Sequence, residues 1–197
     1  DLVVDAFHKK GIKKLYFFSH LENAFTIADY GLLSLNTIQN CSIPYHSFAE
    51  VTVQDRRDAR YIETSAGETR NLHDMVPFYF VTKTPTLFSR RQNQSVFVFW
   101  SVPIDLIRDP DIEFAFSDGN LASRQTEVFF HQLDVEKIPI SVLRAEYWNN
   151  HDDGKRRRNS EMLIYGSVPI DYIECVYCNS DTTKELFLDG TRTRSFD

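Results

Sequence analysis

The chain has 197 residues, 42% of them apolar and 25% charged, which is the size and balance of one ordinary globular domain with a sizeable core. Its 22 Lys and Arg against 28 Asp and Glu leave a net charge of −6. That total excludes a nucleic-acid coat held by bulk positive charge, though not a local basic groove. Three Cys are too few for a disulfide framework. No apolar run approaches the ~18 residues of a membrane span, and no signal-peptide pattern is visible after Asp1. A cytoplasmic setting without membrane contact is expected.

Lys14 to Ser19 reads as a short aromatic strand. Leu21 to Tyr30 follows as a helix, with Leu21, Ala24, Phe25 and Ala28 at helical spacing and Gly31 closing it. Cys41 to Glu50 reads as loop, Val51 to Tyr61 as a short charged helix, and Glu63 to Asn71 as a mobile loop. Val76 to Val81 is a buried strand, and Thr84-Pro85 starts a helical turn through Leu87 and Phe88. Ser95 to Val102 carries the strongest strand signal, and Glu113 to Phe116 is a further strand. Asp134 to Trp148 holds one or two helices broken near Pro139, and His151 to Arg158 is a charged loop. Glu161 to Tyr165 and Ile173 to Tyr177 close the set as strands. Strands and helices alternate without a regular βαβ period, which predicts an α+β fold.

Two segments nearly repeat: Ser101-Val-Pro-Ile-Asp-Leu-Ile107 and Ser167-Val-Pro-Ile-Asp-Tyr-Ile173. Each follows a strand, and its proline can open a helical turn, so the echo reads as one local solution used twice. Cys175-Val-Tyr-Cys178 spans a strand, where residues three apart face opposite ways, so buried structural thiols are expected rather than a metal pair. The six His do not cluster in sequence, and none is assigned to a metal. P-loop, G-x-G-x-x-G and G-x-S-x-G motifs are absent.

Lys155-Arg156-Arg157-Arg158 is the one dense basic run. By itself it reads as a solvated loop. Its neighbour Glu161 opens a strand, and a carboxylate beside a cationic loop could hold a polyanion and act on it. Arg56, Arg57 and Arg60 form a second basic cluster, readable equally as a salt-bridged helix surface. Arg90-Arg91 forms a third, at the end of the Pro85 helix.

Several segments together resemble the DarT family, bacterial ADP-ribosyltransferases that modify nucleic-acid bases using NAD. His73-Asp-Met-Val-Pro-Phe-Tyr-Phe80 with Thr84-Pro-Thr-Leu-Phe88 is similar to the family's D-x-V-P-F-Y-F segment and following turn. Lys155-Arg-Arg-Arg-Asn-Ser-Glu161 resembles its K-R-R-R-x-x-E. Leu15-Tyr-Phe-Phe-Ser-His20, Asn23 and Gly31-Leu-Leu33 resemble its L-Y-H-x-T-H-x-x-N…G-L opening. His46-Ser47 through Arg56-Arg57 resembles its H-S-I-G…R-R segment, and Phe116-Ser-Asp-Gly-Asn-Leu-Ala122 with Phe129-Phe130 its F-x-D-G-x-A…F-F. These occur in the family's order. Two positions depart: Phe17 and Asn120 stand where members commonly have His.

The resemblance implies one ADP-ribosyltransferase-like domain over residues 1–197, with central mixed or antiparallel β-sheets flanked by helices. It implies NAD as co-substrate, no metal, and Glu161 as the catalytic carboxylate. Arg56 is the implied catalytic arginine, with Arg57 the competing candidate. Ser19, His20, Asn23, Arg56 and Tyr79 are implied at the NAD pocket; Lys155, Arg156, Arg157, Arg158 and Asn120 are implied on the nucleic acid. The expected function is transfer of ADP-ribose to a base of single-stranded DNA, as the toxin of a toxin–antitoxin or phage-defence system neutralised by a macrodomain-type partner. Transfer to RNA, a non-catalytic NAD- or nucleic-acid-binding module, and a protein-directed transferase are the alternatives.

Overall fold

The computed structural model of the chain describes residues 2–47 and 51–192. In chain order the elements are α1 (Leu2–Lys9), β1 (Lys14–His20), α2 (Leu21–Tyr30), β2 (Leu32–Leu33), α3 (Leu35–Asn40), α4 (Val51–Asp58), β3 (Tyr61–Glu63), β4 (Thr69–Asn71), β5 (Met75–Tyr79), α5 (Pro85–Ser89), β6 (Phe97–Pro103), β7 (Phe114–Ser117), β8 (Val128–Phe129), α6 (Ile140–Arg144), α7 (Gly154–Arg157), β9 (Glu161–Tyr165), β10 (Ser167–Val168), β11 (Cys175–Cys178) and α8 (Asp181–Arg192). No helix among the described residues is long and apolar enough to cross a membrane.

Seven strands form one sheet in the order β11-β6-β1-β5-β9-β7-β8, antiparallel at every pairing. Two small ribbons, β2 with β10 and β3 with β4, stand apart from it. The fold is thus α+β, as the element pattern predicts. Strand β9 lies between β5 and β7, and its Met162-Leu163-Ile164 is fully buried. A strand covered on both faces needs apolar residues at successive positions, and this one has them. Met162 and Ile164 join the main core with Trp100, Phe7, Phe78 and Phe116, whereas Leu163 joins a smaller cluster with Leu72, Met75 and Leu121. Side chains alternate along a strand, so Glu161 shares the Leu163 face. The β5 register sets Tyr79 opposite Glu161 and Pro77 opposite Leu163, so Tyr79 shares that face too. This places the acid and the phenol side by side.

Helix α2 starts at His20, whose Nδ1 accepts the Glu22 N–H, and stops at Gly31, whose φ of 76° is left-handed. A Cβ at Gly31 would also run into the Val168 carbonyl. The two echoed segments do the same job twice: Pro103 and Pro169 each precede a single 3₁₀ segment, Ile104–Arg108 and Ile170–Tyr172.

Several expectations need correction. Residues 63–71 are no loose loop. Tyr61–Glu63 and Thr69–Asn71 pair as a hairpin, with Gly67 at φ 75° in its turn. Three-residue strands are too short for their alternation to show. The charged helix ends at Asp58, and the aromatic strand begins at Phe97 after a 3₁₀ segment, Arg91–Val96. Lys155 to Arg157 are helical, in α7. Cys175 and Cys178 are free and half-buried, because β11 is an edge strand. Helices α1 and α8 cover the sheet from segments the sequence reading left without elements; Val3, Val4 and Phe7 supply the buried face of α1.

Candidate active site

The ends of β1 and β5, helices α2, α4 and α5, and the segment 43–47 enclose a cavity of about 280 Å³, with Glu161 on its wall. Glu161 is 2% exposed. Its backbone is held by Ser117, whose Oγ accepts the Glu161 N–H at 3.1 Å and donates to the Gly119 carbonyl at 2.9 Å. Its carboxylate accepts from one guanidinium: Arg57 Nη1 lies 3.3 Å from Oε1 and 3.1 Å from Oε2. Burial, with the Glu161 charge adding to it, pushes the Tyr79 phenol up to about 12. It therefore stays neutral and can donate a hydrogen bond at any physiological pH.

Arg57, rather than Arg56, faces the acid. Arg56 is exposed and lines a different groove. Successive residues of a helix differ by about 100° in direction, so only one of an adjacent pair can point into the cavity. Beside them Arg60 holds the α4 end in place by donating to the carbonyls of Leu121, Ser123 and Thr126. Burial lowers its pKa. His73, bonded to Gln54 Oε1 at 2.9 Å, packs under α4; desolvation first and Arg57 second depress its pKa.

The remaining sequence candidates divide. Ser19 borders the cavity, but its Oγ accepts from Trp100 Nε1 at 3.0 Å, on the core side of β1. The alternation that sets Phe18 against Tyr79 turns Ser19 away from it. Asn23 clasps the segment 43–47: its Nδ2 donates to the His46 carbonyl and its Oδ1 accepts the His46 N–H, both at 2.7 Å. His20 lies against His46, ring centroids 4.7 Å apart, and its pKa is lowered by desolvation and then by His46. Phe17 lies edge-on to Phe78, 6.0 Å between centroids, so an aromatic contact occupies a position where the resemblance expects His.

His20, Glu22 and His46 bring ligand atoms within 4.8 Å of one another. They make a poor cation cage. His20 Nδ1 accepts the Glu22 N–H, which places the proton of a neutral ring on Nε2 and leaves no lone pair there for a metal. The His46 Nδ1 is already 3.0 Å from the Glu22 carboxylate.

The basic run does not act as one unit. Arg158 is 5% exposed and donates to the carbonyls of Lys83, Val142 and Ala145. Arg156 forks onto Asp118 at 2.9 and 3.1 Å and also bonds Asp153. Arg157 lines neither cavity. Lys155 is exposed and lines the second groove with Arg56, Arg60 and Arg124. Arg56, Arg124 and Lys155 have no carboxylate partner among the described residues. Asn120 lies between the two hollows and borders both; its Oδ1 accepts the Ala122 N–H. Sequence reading missed Arg124, Ser117 and Asn159. The Asn159 Oδ1 accepts from Thr86 Oγ1 at 3.0 Å and fastens the approach to Glu161 onto α5.

With the acid, its arginine and the flanking groove in place, residues 16–189 match the family model for DarT, described as ssDNA thymidine ADP-ribosyltransferase. The chain belongs to the DarT family. It is 26% identical over 174 residues to a DNA ADP-ribosyl transferase–DNA ADP-ribosyl glycohydrolase fusion protein of Thermosipho africanus, covering 84% of this chain and 42% of that one. A DNA ADP-ribosyl transferase of Mycobacterium tuberculosis is 30% identical over 138 residues, covering 64% and 57%. The chain thus spans roughly half the length of these curated relatives. Thermus sp. 2.9 DarT in complex with ADP-ribosylated ssDNA superposes with a TM-score of 0.83 at 21% identity, covering 93% of this chain and 89% of that one. The same DarT in complex with NAD+ gives 0.77 at 19% identity, covering 94% and 91%. The fold is therefore the DarT fold, as expected.

Proposed function

We propose that this DarT-family chain is an NAD-dependent mono-ADP-ribosyltransferase that modifies a base of single-stranded DNA, the activity its relatives' names carry. The observation that supports it most is the buried Glu161 carboxylate on the cavity wall, held by Arg57. The cavity is at the small end of the ~300–1,000 Å³ usual for ligand pockets. Its apolar lining and single acid suit the nicotinamide-ribose end of NAD.

In the reaction the nicotinamide–ribose bond breaks, nicotinamide leaves with the bonding pair, and the ribose carbon becomes cation-like. A nucleophilic atom of the base attacks that carbon, and the proton that the base loses passes to solvent water. Glu161 accepts a ribose hydroxyl hydrogen bond and stabilises the developing positive charge in a site from which water is largely excluded. Arg57 cannot serve as a base, since a guanidinium holds its proton above pH ~12. It orients Glu161 and meets the incoming base or a phosphate with N–H donors. Tyr79 donates from its neutral hydroxyl. Asn23 and His20 act indirectly, holding the segment 43–47 and the start of α2 that shape the pocket; Ser19 contributes only backbone.

The nucleic acid follows the groove of Arg56, Arg124 and Lys155, with Asn120 at the passage to the cavity. A single strand is the substrate because a base edge inside a duplex cannot reach a buried acid. We infer a toxin role, a cytoplasmic setting, and a partner that removes the modification, since the Thermosipho relative is named as a fusion with a glycohydrolase. The decisive experiment incubates the protein with NAD and a thymine-containing single-stranded oligonucleotide and weighs the product. One ADP-ribose should be added, and Glu161→Gln should reduce the rate by about 10²–10³-fold while leaving the fold intact. An unmodified oligonucleotide, or full activity in the variant, would refute the reading.

A further inference from the structure

Beyond the acid and the basic groove, one surface patch is unexplained by either. Phe88 on α5 is 56% exposed, and Tyr147 is 62% exposed. Trp148 packs against Phe88 in an edge-to-face contact, with centroids 5.8 Å apart and planes at 74°. Arg91 covers part of Phe88, its guanidinium carbon 4.5 Å from the ring centroid and its Nη1 3.1 Å from the Phe88 carbonyl. Scattered surface aromatics need no explanation; a Phe and a Trp in contact, with an arginine over the Phe ring, do.

The patch adjoins the site on both sides. Thr86 and Arg90, which flank Phe88 in sequence, line the Glu161 cavity. Trp148 stands in the 3₁₀ segment Trp148–Asn150 ahead of α7, and Gly154 packs directly onto its carbonyl. The two halves are locked together. Arg158 joins the carbonyl of Lys83, just before α5, to those of Val142 and Ala145, just before Tyr147. Asn159 ties α7 to Thr86. The aromatic surface is therefore preorganised, and the Arg91 guanidinium lies over Phe88.

We propose that Phe88, Trp148 and Arg91 form a stacking platform for a base of the single-stranded DNA that flanks the modified one. This rests on the reading of the cavity as a DNA-base transferase site. An exposed aromatic ring, backed edge-to-face by a second ring and flanked by an arginine, is what single-strand binders use: a base stacks on the ring without regard to sequence, and the cation meets the backbone. The platform supplies affinity next to the cavity, so the strand is held while one base enters it. Trp148 is also a built-in reporter, because the other tryptophan, Trp100, is 1% exposed in the core.

The test measures binding of a thymine-containing single-stranded decamer by anisotropy and by tryptophan emission. The decamer should quench Trp148. Phe88→Ala should weaken decamer binding about tenfold and raise the KM for DNA by a similar factor, because stacking of one base is worth roughly that much. Phe88→Tyr, which keeps a ring, should stay within about twofold of the native protein. A decamer carrying an abasic residue beside the target should bind the native protein more weakly and gain no further loss from Phe88→Ala. If Phe88→Ala with Trp148→Leu binds the decamer as tightly as the native protein, the platform is refuted, whatever the transferase activity. If the native protein binds with quenching yet adds no ADP-ribose, the platform stands and the transferase reading fails.

Discussion

Arg57 and Glu161, 104 positions apart in the chain, meet as a buried ion pair, Nη1 to Oε2 at 3.1 Å. Neither side chain is more than 12% exposed. A carboxylate so placed is aligned before substrate arrives, which is what electrostatic stabilisation of a transition state requires. Arg56, its neighbour in sequence, belongs to the outer groove.

The two arginines should therefore separate kinetically. Arg57→Ala should lower kcat by about 10²-fold or more at saturating NAD and DNA. Arg56→Ala should chiefly raise the KM for DNA and reduce the slope of log affinity against log salt by about 0.7. Equal effects on kcat would return Arg56 to the catalytic centre.

The basic run should split in the same way, by stability rather than rate. Arg158→Ala takes the side-chain donor from the carbonyls of Lys83 and Ala145, while Val142 keeps the Ala145 N–H, and a buried polar group without a partner costs about 1–3 kcal/mol. Its melting temperature should fall by several degrees at minimum. Lys155→Ala is an exposed change and should stay within about 0.5 kcal/mol of the native stability while weakening DNA binding. Thermal melts with oligonucleotide titrations distinguish the two.

Acid should loosen the start of α2. His20 has its pKa lowered by desolvation and then by His46, and its Nδ1 must be unprotonated to cap the helix. As pH falls through 6.5 the unfolded chain takes up that proton before the folded one, so stability present above 6.5 is lost below it. His73, lowered in the same direction, adds to the loss. His20→Asn keeps a good cap without a titrating group and should flatten the decline between pH 7.5 and 5. An unchanged pH profile in denaturant melts would count against it.

At the alkaline end the sign is set by Tyr79. Its pKa is raised to about 12 from 10.0, so between those values the unfolded chain has released a proton that the folded chain retains. Stability should fall across that window by at most about 3 kcal/mol. Tyr79→Phe should remove that part of the decline; an identical slope in the variant would place the buried proton elsewhere.

Much of the site was legible in the residues. The order of five motifs indicated the family, and the irregular alternation of strands and helices indicated the α+β class. Helix α2 and its Gly31 stop, the Pro85 turn and the echoed proline turns followed from local rules, because helix caps and proline geometry depend on near neighbours alone. The short hairpin of β3 and β4 and the helix α7 did not, because three or four residues carry too little periodicity.

Side-chain partners were not legible. The run Lys155 to Arg158 reads as four equivalent cations, yet packing assigns Arg158 to backbone carbonyls, Arg156 to Asp118 and Asp153, and leaves Lys155 in solvent. Ser19 borders the cavity, yet its hydroxyl accepts from Trp100 on the core side of β1. Residue type and the order of the motifs, which the chain carries locally, were enough for the resemblance that names the family, and for the negative total with its basic exceptions. Which cation meets Glu161 and which hydroxyl meets the cavity depended on how α4, β1 and α7 dock on the sheet. Those directions arise from contacts between residues far apart in sequence, and a string of neighbours holds no record of them.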